Sequence, residues 1–92
     1  MLGSRINELR TALGWSQVLL AEKLNISKQT VSNWENENIQ PSIEMLVRLA
    51  TLFHVSTDYL LGLDNAQTIN VDGLPKPFIA HLTQIIEDYK QK

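Results

Sequence analysis

The apolar positions of this chain fall at spacings of three, four and seven residues, in short blocks punctuated by Ser, Asn, Gly and Pro. Ile6, Leu9 and Leu13 predict a first helix that starts at Ser4 as its cap, runs to Leu13 and stops at Gly14. Leu20, Ala21 and Leu24 predict a second, capped by Ser16 and stapled by Trp15 onto Leu20, with Asn25 suited to its left-handed end. The device then repeats: Ser27 caps a third helix, Ile26 staples onto Val31, and Val31 with Trp34 supplies its buried side up to Glu35. Pro41-Ser42 opens a fourth helix with Ile43, Leu46, Leu49, Ala50 and Phe53 facing inward and His54 ending it. Val55-Ser56 repeats staple and cap once more, and Leu60 and Leu61 complete the core before Gly62.

Residues 65–75 read as a polar linker with a turn at Asp72-Gly73 and a short extended piece over Thr68–Val71. Beyond it Lys76-Pro77 opens a last helix over 76–92, with proline in its first turn. Its apolar stripe comprises Phe78, Ile79, Leu82, Ile85, Ile86 and Tyr89. One helix has no use for such a stripe alone, so it folds back on the domain or pairs with a second chain. Pairing is the favoured expectation, because a two-fold dimer reads a palindrome.

The third helix is unusual in what it leaves outside. Lys28, Gln29, Ser32 and Asn33 share its outer face, and each is a hydrogen-bonding side chain. Gln and Asn bond an adenine edge at two points, Lys reaches guanine acceptors, and Ser contacts several bases. Ser27 and the first backbone N–H groups suit a phosphate. A polar face is more often merely solvated. Two caps, two staples, one small residue and an asparagine turn in linked order make the helix-turn-helix signature instead.

These segments resemble the lambda-repressor/Cro-like helix-turn-helix family, also called XRE. The likeness covers residues 4–64 through the blocks LGWSQ, LAEKLNIS, TVSNWEN, QPS and LVRLATLFHVSTDYLLG. The resemblance implies an all-α, five-helix lambda-repressor-like DNA-binding domain, here followed by a C-terminal amphipathic helix. It implies double-stranded DNA as partner and repression as the usual outcome. Residues matching Arg10 and Glu35 commonly form an ion pair between helices, and the one matching Gln17 touches a phosphate. The sequence also departs from the family. Val18 and Leu19 stand where acidic residues are common, which costs Ser16 its capping box. Glu37 stands where many relatives have glycine, so Asn36 or Asn38 is expected to take the turn conformation. Asn36, Asn38 and Gln40 are left to meet phosphates there as neutral donors.

Composition narrows the alternatives. Ninety-two residues make one small domain with an appendage. The absence of cysteine removes disulfides and thiolate metal sites, and His54 and His81 lack ligand spacing, so neither metal nor cofactor is expected. Early apolar residues alternate with Ser4, Arg5, Asn7, Glu8 and Arg10, unlike a signal peptide, and no apolar run approaches the roughly 20 residues that span a bilayer. No membrane partner and a cytoplasmic location follow as expectations. No phosphate loop, nucleophile elbow or HExxH is present, so no enzyme is expected. The net charge of −2 is unhelpful for a DNA binder, and the surplus acid lies in residues 44–92. It gives weight to a rival reading, a protein-interaction module of the same fold with a regulatory protein as partner. The first reading remains a homodimeric DNA-binding repressor.

Overall fold

The computed structural model describes Met1–Gln91, so Lys92, the end of the expected last helix, lies outside the described residues. Among the described residues six helices follow in order: α1 (Leu2–Ala12), α2 (Gln17–Leu24), α3 (Lys28–Glu35), α4 (Ile43–Phe53), α5 (Thr57–Leu61) and α6 (Lys76–Lys90). The first five enclose a core of Ile6, Leu20, Ala21, Leu24, Val31, Trp34, Leu49, Ala50, Phe53 and Leu60. Ala21 is buried where α2 meets α3, as the close approach of two helices requires.

Local signals set these elements. The hydroxyls of Ser16, Ser27, Ser42 and Ser56 each accept the backbone N–H three residues on, so four consecutive helices begin on serine caps. Left-handed residues close three of them: Asn25 at φ 56°, His54 at 58° and Gly62 at 79°. Trp15, partly buried before α2, stacks on Phe53 with ring centroids 5.9 Å apart, which joins the first and fourth interhelical joints. Arg48 donates to the Leu24 carbonyl at 2.8 Å and satisfies one of the open acceptors at the end of α2.

Several sequence expectations are corrected. Helix α1 begins at Leu2, not Ser4, and Ser4 donates its hydroxyl to the Met1 carbonyl from within the first turn. The helix starts early because Leu2 packs on the core and because the Gly3 N–H is capped from elsewhere in the chain. Leu13 is 51% exposed, lying past the last turn of α1. Ile43 is 82% exposed: as the first residue of α4 it points away from the core that Leu46, Leu49, Ala50 and Phe53 reach. Leu61 is 45% exposed, and its expected place is filled by Tyr59, whose ring lies under the Arg5 guanidinium at 4.0 Å. Thr68–Val71 forms no strand; the Asn70 N–H instead bonds the His54 carbonyl at 3.1 Å. The Asp72-Gly73 turn is present, with Gly73 at φ 85°. None of the residues of α6 is buried.

Candidate nucleic-acid interface

Helix α3 is held from three sides. Val31 and Trp34 anchor it in the core, and Ser27 caps its start with the Thr30 N–H at 3.1 Å. Glu35 locks its end. Arg10 reaches that carboxylate with Nε to Oε2 at 2.6 Å and Nη2 to Oε1 at 3.0 Å, the two-pronged geometry in which guanidinium and carboxylate match best. The same guanidinium donates to the Trp15 carbonyl at 2.7 Å. Asn7 and Gln17 add amide donors to Oε1 at 2.9 and 3.1 Å. The side chains of Arg10 and Glu35 are only 11% and 4% exposed. The expected ion pair is therefore present, and it ties α1, α2 and α3 at one point.

The titration of the pair follows from this geometry. Burial pushes the Glu35 carboxyl up, but hydrogen bonds from Arg10, Asn7 and Gln17, with the Arg10 charge, outweigh it and leave it below the usual carboxylate value. The hydrogen bond to Glu35 raises the Arg10 guanidinium above its ordinary value; burial opposes this, and the Glu35 charge adds to it.

The outer face of α3 carries the four residues expected there. Lys28 and Gln29 are exposed, and Ser32 and Asn33 are half-exposed. The Gln29 amide donates to Asn33 Oδ1 at 3.1 Å, one turn along, so the two side chains form a connected polar pair. Ser32 accepts from the Asn36 amide at 3.3 Å.

The residues expected at phosphates are arranged less uniformly. Ser27 stands at the helix start, its hydroxyl 2.8 Å from that of Thr30. Gln17 spends one amide hydrogen on Glu35. Asn36 and Asn38 are exposed in the following loop, but neither takes the left-handed conformation; Glu37 does, at φ 62°.

Glu37 is the residue that sequence reasoning placed wrongly. Its carboxylate turns away from the outer face and accepts the Gly3 N–H at 2.7 Å. A negative group at a helix N-terminus is favourable, since the first N–H groups of a helix lack intrahelical partners. Gly3 is required for this approach, because a Cβ there would lie 2.3 Å from the Trp34 carbonyl oxygen. Glycine near the chain start and glutamate at a turn position were the visible signals, but nothing local linked them across 34 residues.

A helix-turn-helix family model matches residues 6–60, across the five packed helices. The chain belongs to the helix-turn-helix family. It is 39% identical over 87 residues to the HTH-type transcriptional regulator ImmR of Bacillus subtilis, covering 95% of this chain and 68% of that protein. Among solved structures, this helix-turn-helix domain is similar to the P22 c2 repressor in complex with a synthetic operator, at TM-score 0.65 and 33% identity over 70% of this chain and 97% of that one. It also resembles a chain of the SinR–SinI protein complex, at TM-score 0.63 and 25% identity, with both chains covered in full. Among the described residues, no helix is long and apolar enough to cross a membrane, and no cluster of acidic or histidine side chains has the makings of a metal site.

Proposed function

We propose that this helix-turn-helix regulator represses transcription by occupancy, binding a palindromic operator as a homodimer in the cytoplasm. Helix α3 enters the major groove, Gln29 and Asn33 read base edges, Lys28 takes a guanine or a nearby phosphate, and Ser32 makes a further base contact. Gln17, Ser27, Asn36 and Asn38 hold the sugar-phosphate backbone, largely as neutral donors. The observation that carries this reading is the exposed, linked Gln29–Asn33 pair on a helix whose other side is fixed by Trp34 and Glu35. Groups that read bases have to be presented by a rigid support. No catalytic step is involved.

With few free cations on this half of the chain, non-specific affinity is modest and the salt dependence shallow. Selection of bound sites from a random duplex pool tests the proposal. Two half-sites with centres about 34 Å apart are expected. On the selected site, Gln29→Ala weakens binding by roughly 1–3 kcal/mol and relaxes choice at one position. Equal losses on selected and random duplexes would show that Gln29 only positions the protein.

A second reading has one specific observation behind it: the likeness to a chain of the SinR–SinI complex, which extends over α6. In that reading a regulatory protein engages the chain, and failure to bind any duplex at low salt would favour it.

A further inference from the structure

Helix α6 leaves most of its stripe uncovered within the chain: Phe78, Ile85, Ile86 and Tyr89 are exposed, while Ile79 and Leu82 are half-buried. None of its side chains joins the core, and Ile85 and Tyr89 are 64% and 77% exposed. Phe78, Leu82, Ile85 and Tyr89 step along it by four, three and four residues, the spacing of a two-helix seam. One flank of that seam carries Ile79 and Ile86, seven residues apart. The other carries His81 and Asp88, also seven apart. Lys76, Glu87 and Lys90 fall on the outer side.

We propose that α6 pairs antiparallel with the α6 of a second copy, with Phe78 against the partner's Tyr89 and Leu82 against the partner's Ile85. The inference rests on the homodimer reading above and specifies how that dimer is made. A two-fold axis crossing the seam between Thr83 and Gln84 generates these contacts. It also sets Ile79 beside the partner's Ile86 and His81 beside the partner's Asp88, each twice. The apolar flank meets an apolar flank, and an imidazole meets a carboxylate.

Charge complementarity singles out both occupant and direction. In a parallel pair His81 would face the partner's Ile86, and like ends of the two helix dipoles would lie side by side. The antiparallel pair opposes the dipoles and sets every flanking residue beside one of its own kind or beside a hydrogen-bonding partner. Within the helix, Gln84 donates to Asp88 Oδ1 at 2.8 Å, leaving the second carboxylate oxygen for a partner. A sequence that completes itself under a two-fold operation fits a second copy better than an unrelated protein.

The seam is short. Fifteen residues give a helix about 22 Å long, less than a permanent dimer interface needs. The pair therefore exchanges in solution and is consolidated when both recognition helices occupy one operator, the second half-site being then bound at high effective concentration.

Because the chain has no cysteine, introduced thiols report the register cleanly. Full-length His81→Cys and Asp88→Cys chains, one of them tagged, are mixed and mildly oxidised. A mixed-disulfide dimer is expected, formed much faster than either variant links to itself. Sedimentation equilibrium on the untagged chain supplies the second measurement. His81→Glu should weaken dimerisation about tenfold, since two like-charged contacts replace two complementary ones, and adding Asp88→Lys should restore it. Retained helicity by circular dichroism shows that the variants are folded. Efficient self-linking of Phe78→Cys would demonstrate a parallel pair and overturn the proposal. A dimer that is indifferent to His81→Glu and gives no mixed disulfide overturns this register while leaving dimeric operator binding intact. A chain that is monomeric in solution and binds selected operators as a single copy overturns both.

Discussion

Helices α3 and α6 are solved by the chain in opposite ways. Helix α3 has only eight residues, too few to persist alone, yet it is the better fixed of the two. It buries Val31 and Trp34, begins on a serine cap and ends on a buried ion pair, and what remains outside is polar. Helix α6 has fifteen residues, starts on Pro75 and Pro77, buries no residue fully and leaves most of an apolar stripe outside. A polar remainder is content in water and gains from a base edge; an apolar remainder gains only from burial. The leftover surface of each helix therefore states the chemistry of what should meet it, and the two answers differ.

The comparison breaks most severely at Glu35. Glu35→Ala leaves the Arg10 guanidinium buried without its partner, and such single deletions cost roughly 3–5 kcal/mol. Asn7 and Gln17 lose their acceptor at the same time. Chemical denaturation should show that loss at neutral pH, with operator binding falling alongside because α3 is no longer held. The wild-type chain has a matching pH signature. Glu35 is held below its ordinary value in the folded state. Its stabilisation is thus complete above the unfolded carboxylate value and is lost as pH falls through the lower, folded one. The stability gap between wild type and Glu35→Ala should narrow in acid. A gap that is constant with pH would show that the carboxylate charge is not what the corner depends on.

How much of this was legible beforehand depended on range. The caps at Ser16, Ser27 and Ser56, the Asn25 and His54 stops and the Val31–Trp34 anchor were read from residues within one or two turns of each other, and the structure has them, whereas the cap expected at Ser4 is absent. The ion pair was reachable only through family resemblance, since nothing in the spacing of Arg10 and Glu35 shows that α1 and α3 are adjacent. Ile43 and Leu61 were misplaced because an apolar residue at a helix end satisfies the periodicity without having any core opposite it. The turn after α3 was given to Asn36 or Asn38 rather than Glu37, because the Gly3 N–H that holds Glu37 there is a backbone group with no sequence signature. The Gln29–Asn33 face was visible as composition, but its support was not.

Glu37 gives the intermediate test. Glu37→Ala removes the acceptor from Gly3 and keeps a side chain at a left-handed position, so thermal melts should show a loss of about 1–2 kcal/mol. Glu37→Gly loses the same bond but relieves the backbone, and should cost less. This separates a capping role for the carboxylate from a simple demand for turn geometry. If Glu37→Ala melts like the parent, α1 is not held by this contact and its early start has another cause.

The smallest effect is expected where α6 is removed. Ending the chain after Pro75 keeps the Asn70 contact to His54 and deletes only the last helix. None of its side chains belongs to the core, so the unfolding free energy of the remaining body should change by no more than about 0.5 kcal/mol, as for surface changes distant from any buried feature. Dimerisation and affinity for a two-half-site operator should fall nonetheless, while affinity for a single half-site holds. That split is what makes the experiment decisive for the contrast between the two helices. Equal losses of stability and of operator affinity would mean that α6 packs on its own domain, and its stripe would then belong with that of α3 after all.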